Sequence, residues 1–348
     1  MDLRFISKYR TLLMGLAILW VMFFHIQLND FPIQTDALAA QIESLSIPLL
    51  LLFGIKMAGP MGVDIFIFVS GFGIYYSLSK DSSLKAFYKK RVFRILPYYI
   101  PIVLIYSLYL YSKDIWSIDI VIRNVLTINY WSGIYFKYIF DWYIPAILVV
   151  YAVSPLLYKL FKINKNITSL SLIVIFYILS YLIIDTDYIH LGLITTRIPV
   201  YIAGFWIADY VQNRDNTRLS APYVILSLVT FIIGFGFLIY LGIFYPQLYS
   251  SYLLYGTTIA VVPFCLIYSY LFSLFPNYTF PFLKLCGTYS LTLYIFHERV
   301  IEILSLNGLT DYRMDILAII ITFLLAISWT KLIDYVLGKI LSKFALSY

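Results

Sequence analysis

Apolar runs of about twenty residues recur along this chain, separated by short segments that carry most of its Lys and Arg. At about 1.5 Å per residue, one such run spans the roughly 30 Å hydrocarbon core of a bilayer as a helix. Lipid offers no partner to a backbone N–H or C=O, so a run of this kind must satisfy its hydrogen bonds internally. The chain is therefore read as all-α, a polytopic transmembrane helical bundle. Composition agrees: among 348 residues 62% are apolar and 12% charged, with a mean hydropathy of +0.87. Soluble domains carry about 25% charged residues, so this chain has too few to coat a globule. Its aromatic share of 19% suits interfacial belts.

The hydropathy pattern gives ten spans, at about 11–29, 61–79, 93–112, 142–161, 167–186, 193–210, 222–243, 251–275, 286–304 and 314–338. The stretch 46–58 is apolar but short, and reads as a re-entrant or extended start to the second span rather than a span of its own. Segment 115–135 is ambiguous in the same way, and the loop around 30–46 has room for one helix over Asp36–Glu43. With the N-terminus inside, seventeen Lys and Arg fall on the inner side. Seven fall on the outer side or in outer helix halves: Lys56, Lys113, Arg123, Lys137, Arg197, Arg299 and Arg313. That asymmetry puts both termini in the cytoplasm and accounts for the net charge of +7 without a nucleic-acid partner. Cys265 and Cys286 lie in apolar segments and read as small buried hydrophobes. The first apolar run is too long for a cleavable signal peptide, and neither an internal repeat nor a soluble domain is visible, so residues 1–348 read as a single membrane domain.

His25 stands in the first span, one of three histidines in the chain. An ionisable group at membrane depth is costly and marks a functional site by default. Other polar groups fall at a similar depth in distant segments: Asp64 in Gly62-Val63-Asp64-Ile65-Phe66, Asp141 beside Trp142, and His297 with Glu298. A carboxylate beside a histidine fixes its tautomer and supports it as a general base. Taken alone, Asp64 reads equally as a functional carboxylate or as a helix cap or interfacial carboxylate, Trp142 as an interfacial anchor, and His190 as a solvated loop residue. Arg91 and Arg94, three apart, share a helix face suited either to phosphate or to anionic lipid headgroups. Gly71-Phe72-Gly73 reads as close helix packing. The chain has no GxGxxG, Walker A, HExxH or CxxC motif, which leaves redox chemistry, ATP hydrolysis and zinc proteolysis without support.

In order along the chain, Gly15-Leu16-Ala17-Ile18-Leu19 leading to His25, Gly62-Val63-Asp64-Ile65-Phe66 with Ser70-Gly71-Phe72, Phe87 to Pro97, Trp142-Tyr143-Ile144 and Ser290 to His297 resemble the acyltransferase 3 family of integral membrane acyltransferases. The resemblance implies one membrane acyltransferase domain over 1–348. Such a domain moves an acyl group, commonly acetyl, from cytoplasmic acyl-CoA to a hydroxyl of an extracytoplasmic glycan. It implies His25 as the essential histidine and Arg91 and Arg94 as donor-linked. The expected catalytic set is His25, Asp64 and Glu298, and the expected substrate-binding set is Arg91, Arg94, Arg10, Trp142, Tyr294 and His297. No metal and no permanently bound cofactor is expected, and acetyl-CoA or another acyl-CoA enters as donor substrate. The expected partners are acyl-CoA, a cell-surface or secreted glycan and the lipid bilayer, with the protein multi-pass in a cell membrane of bacterial type. One position departs from the family pattern: an arginine ten intervening residues before the histidine is Met14 here. Arg10 is the nearest substitute, yet about 22 Å from His25 along a helix axis. The competing expectation is a transporter or flippase for a polysaccharide or lipid-linked sugar, whose usual inverted repeats are not visible.

Overall fold

The apolar runs are helices. The computed structural model describes residues 1–26, 46–133, 142–184, 186–244, 246–309 and 312–343, with no strand among them. Eight helices in it are long and apolar enough to cross a membrane: Met61–Lys80, Leu84–Ser112, Tyr143–Ile163, Lys165–Ile183, Ile189–Gln212, Ala221–Leu241, Tyr255–Ser273 and Arg313–Ile340. The remaining two expected spans, 11–29 and 286–304, correspond to shorter helices, Arg10–His25 of 16 residues and Ser290–Leu306 of 17. The expected helix at Asp36–Glu43, and Asp141, lie outside the described residues.

Several boundaries have a visible cause. Asn164 Oδ1 accepts the N–H of Ile167 at 3.0 Å, and this N-cap separates Tyr143–Ile163 from Lys165–Ile183. Asp81 Oδ1 accepts the Ser83 N–H at 2.8 Å just ahead of Leu84–Ser112. That helix starts earlier than expected, so the basic Lys89-Lys90-Arg91 cluster is itself helical. The expected 286–304 run is interrupted: Pro281–Thr288 ends before Tyr289, and Ser290–Leu306 begins after it. Stretch 46–58 is a separate helix, Ile47–Met57, and segment 115–135 contains two short helices, Ile118–Val125 and Ile128–Ser132.

The chain divides into two compact units, one of Met1–His25, Phe31–Phe87 and Ala146–Thr288, the other of Ile26–Asp30, Tyr88–Pro145 and Tyr289–Tyr348. In the first, Met61–Lys80 is the central helix, with 78% of its apolar window buried, against 11% for Lys165–Ile183 and 17% for Ala221–Leu241. Bare backbone sets the spacing around it. A Cβ on Gly71 would strike the Tyr201 carbonyl, and one on Gly204 would strike the Phe68 carbonyl, so these helices cross in direct contact. Arg10–His25 and Pro281–Thr288 cross the same way, Gly15 on the Leu283 carbonyl and Gly287 on the Thr11 carbonyl. Gly73 differs from its neighbour: a Cβ there would meet only the Arg10 guanidinium, 3.9 Å away. Cys265 and Cys286 are free and buried, as expected of small hydrophobes. At one end of this unit Asp2 bonds Arg4 and the Thr217 hydroxyl, and the Arg4 guanidinium holds its carboxyl well below the usual carboxylate range.

The second unit packs Tyr106, Leu110, Trp116 and Ile120 into one core, so the short Ile118–Val125 helix folds back on Leu84–Ser112. A second core joins Val300 and Ile301 to Met314 and Ala318. Polar ties add to this packing: Thr292 and Thr330 hydroxyls lie 2.9 Å apart within the second pair, and Trp329 Nε1 donates to the Tyr98 carbonyl of Leu84–Ser112 at 3.1 Å.

The glycine crossings make a direct prediction. Gly15→Ala and Gly71→Ala each lose about 1–3 kcal/mol of stability by overpacking. Gly236→Ala, where a Cβ meets no atom within 4 Å, loses nothing. Thermal unfolding of the detergent-purified variants measures the difference.

Candidate functional site

The expected site residues divide between the units: Arg10, His25 and Asp64 in the first, Arg91, Arg94, Trp142, Tyr294, His297 and Glu298 in the second. His25 is the last residue of its helix and is half-buried. Its imidazole meets the Phe24 ring edge-on, with centroids 5.0 Å apart and planes at 86°. The last turn of that helix is held from the neighbouring Ile47–Met57 helix. Lys56 Nζ donates to the Phe24 carbonyl at 2.8 Å, and Trp20 Nε1 donates to the Ile55 carbonyl at 2.5 Å. Lys56, counted above as an outer-side charge, is thus turned in on the His25 helix. Arg10 begins the same unbroken helix, so it and His25 lie at opposite ends.

Asp64 is fully buried, and its Oδ1 lies 2.9 Å from Nε of Arg197, itself 1% exposed. The fully buried Thr257 hydroxyl adjoins the same carboxylate. Arg197 also donates from Nη1 to the Leu193 carbonyl at 2.6 Å. A membrane-buried carboxylate here has a specific cation, and both the helix-cap and the interfacial readings of Asp64 give way to an ion pair. The sequence reads Arg197 as an outer topological charge, because loop charges and buried charges look alike there. His190 is a related correction. It is 3% exposed, not solvated, because the helical segment begins at Ile189 and draws it into the apolar run.

In the second unit, aromatic rings connect three expected residues through one that was not singled out. Trp142 meets Tyr143 (6.3 Å), Tyr143 meets Tyr294 (5.4 Å) and Tyr294 meets His297 (5.5 Å). His297, 2% exposed, holds Nδ1 at 2.6 Å from the Tyr294 carbonyl. A carbonyl only accepts, so Nδ1 carries the proton and Nε2 is the basic nitrogen. Beyond it on the same helix, Arg299 is 3% exposed and sits 5.2 Å from the Tyr106 ring centre, while Tyr106 donates to the Glu302 carboxylate. In this trio Arg299 and Tyr106 are buried and Glu302 is half-buried, whereas the sequence reads Arg299 as a topological charge.

Arg91 and Arg94 do not present one exposed face. Arg91 is buried at 7% exposure, whereas Arg94 is exposed. Arg94 joins Lys90, Phe93, Tyr98, Asp334 and Leu337 around a groove of about 400 Å³. Tyr98 donates to the Asp334 carboxylate across it. Lys90 and Arg94 are four apart, one helical turn, and supply the groove's two cations.

The Asp64–Arg197 pair is expected to behave as a unit. Asp64→Leu or Arg197→Leu alone strands the partner's charge and costs roughly 3–5 kcal/mol. The double replacement Asp64→Leu with Arg197→Leu recovers most of that loss, measured by denaturation in detergent.

Comparison with known proteins gives these residues a context. The profile of an acyltransferase domain family, acyltransferase 3, matches residues 11–334. A protein of Acidianus two-tailed virus, provisionally named an acetyltransferase, is 23% identical over 258 residues, covering 72% of this chain and 76% of its own. No solved structure matches. The profile takes in almost the whole chain, from the start of the His25 helix to Asp334, and the chain belongs to the acyltransferase 3 family.

Proposed function

We propose that this acyltransferase moves an acyl group, acetyl in the first instance, from cytoplasmic acyl-CoA to a hydroxyl of an extracytoplasmic glycan. The observation that carries the reading is the family match over 11–334, which includes an ionisable His25 closing a helix that is apolar from Leu12 to Phe24. In this reading the chain crosses a cell membrane with both termini in the cytoplasm, counting the two shorter helices among ten crossings. His25 removes the proton of the acceptor hydroxyl. The alkoxide oxygen attacks the thioester carbonyl, a C–O bond forms, the C–S bond breaks, and the CoA thiolate recovers the proton from His25. The engagement of Asp64 by Arg197 and Thr257 favours a structural role for it, and Glu298 remains the candidate carboxylate for orienting the base. For the donor, the open groove of Lys90 and Arg94 favours Arg94 over buried Arg91 as the phosphate contact. Trp142, Tyr294 and His297 are assigned to the acceptor side. An exposed Arg10 facing Gly73 is the substitute offered for the arginine missing at Met14.

His25→Ala is expected to abolish transfer while the protein still inserts and accumulates, read by mass spectrometry of acylated surface glycan. Normal acylation by that variant would sink the mechanism. Lys90→Ala with Arg94→Ala is expected to raise the Kd for acyl-CoA about tenfold or more, since a charge-assisted hydrogen bond is worth roughly 1.5–3 kcal/mol. Calorimetric titration of purified protein checks this, and unchanged affinity would reduce the two cations to topological markers. Consumption of acetyl-CoA by the purified protein separates the reading from a flippase, which would leave the donor intact.

A further inference from the structure

We infer that Lys56 is a positioning residue for His25, acting through Phe24. The inference rests on the assignment of His25 as the base.

A helix leaves its last four carbonyls without intrahelical donors, and its C-terminal end carries partial negative charge. In Arg10–His25 the Phe24 carbonyl is one of these four. Lys56 Nζ bonds it at 2.8 Å, and the same ammonium lies 5.7 Å from the Phe24 ring centre. One charged group therefore holds both the backbone and the ring of the residue before His25. That ring is in turn the surface against which the His25 imidazole rests edge-on, at 5.0 Å. Two further contacts close the grip. Trp20 Nε1 bonds the Ile55 carbonyl at 2.5 Å. Gly59 lies so close that a Cβ on it would collide with Phe24 Cβ and come within 3.0 Å of the Trp20 carbonyl. Residues 55–59 thus hold the last turn, Trp20 to Phe24, and leave His25 at the lip of a fixed platform.

The choice of lysine carries information. The Ile47–Met57 helix reads IPLLLLFGIKM, and Lys56 is its one ionisable residue. Half-burying an ammonium among apolar neighbours is unfavourable unless the charge is used. A helix terminus next to a reacting group is a place where it is used, because a shift of about 1 Å in a catalytic base can reduce turnover about a hundredfold.

Steady-state kinetics with acetyl-CoA as donor and a soluble oligosaccharide as acceptor probe, on purified full-length variants, test the proposal. Lys56→Gln retains a hydrogen-bond donor without charge or full reach, and Lys56→Arg retains the charge. Lys56→Gln is expected to lower kcat about 10- to 100-fold, with both KM values within about twofold and the unfolding temperature unchanged. Lys56→Arg is expected to restore kcat to within about threefold of the natural protein. Natural kcat in Lys56→Gln would overturn the proposal. So would a loss that Lys56→Arg shares in full, because the effect would then belong to packing. His25→Ala, run beside them, separates the two layers. If it stays active, the reading of His25 as base fails and the positioning role falls with it; if it is dead while Lys56→Gln turns over normally, only the role of Lys56 fails.

Discussion

Backbone pressed on backbone is the constraint from which the first unit follows. Between helices in lipid, apolar side chains gain little by leaving one hydrocarbon for another, so association rests on close packing and on polar contacts. At Gly15 with Gly287, and at Gly71 with Gly204, the missing Cβ lets two helices touch main chain to main chain. Those crossings fix the neighbours of Met61–Lys80 and so bring Asp64 to the depth of Arg197 and Thr257. They also fix the His25 helix against Pro281–Thr288, and the Lys56 and Trp20 contacts complete its anchorage at the far end.

The sequence showed the helices more readily than their meetings. Apolar runs are long and their signal adds over many residues, so eight expected spans match helices long and apolar enough to cross a membrane, while 11–29 and 286–304 match shorter ones. The break at Tyr289 interrupts a run that hydropathy reads as continuous, whereas the Asn164 cap falls where hydropathy already separates 142–161 from 167–186. Charges were misread as well. Lys56, Arg197 and Arg299 all sit near the ends of apolar runs, and there a lysine in water and an arginine folded inward have the same pattern. Asp64 stands out in the sequence as an ionisable group at membrane depth, but its partner lies more than a hundred residues along the chain and no local spacing points to it. His297 was found by its motif, while its tautomer depends on a carbonyl one turn back, which only geometry supplies.

The polar groups of this acyltransferase fall into two sorts once their partners are known. Some are engaged in holding helices together: Asp64 with Arg197, Tyr75 and Lys165 with Asp209, Tyr106 with Glu302. Others are held in a defined orientation, His297 by the Tyr294 carbonyl and the His25 imidazole against the Phe24 ring, and these belong to the proposed chemistry. Composition treats both sorts alike. A mutational survey ranked by residue type would mix them, and the loss of a clasp would resemble the loss of a catalyst.

The Asp64–Arg197 pair also bears on how the protein is made. Asp64 emerges from the ribosome about 130 residues before Arg197, which at roughly 5–20 residues per second is an interval of some 7–25 seconds. Throughout that time the Met61–Lys80 segment holds an acid at membrane depth while its cation has not yet been synthesised. The segment must therefore wait beside water or the insertion machinery, and its final seat is available only when the Ile198–Gln212 helix arrives. The central helix of the first unit is among the earliest made and among the last to be locked in place.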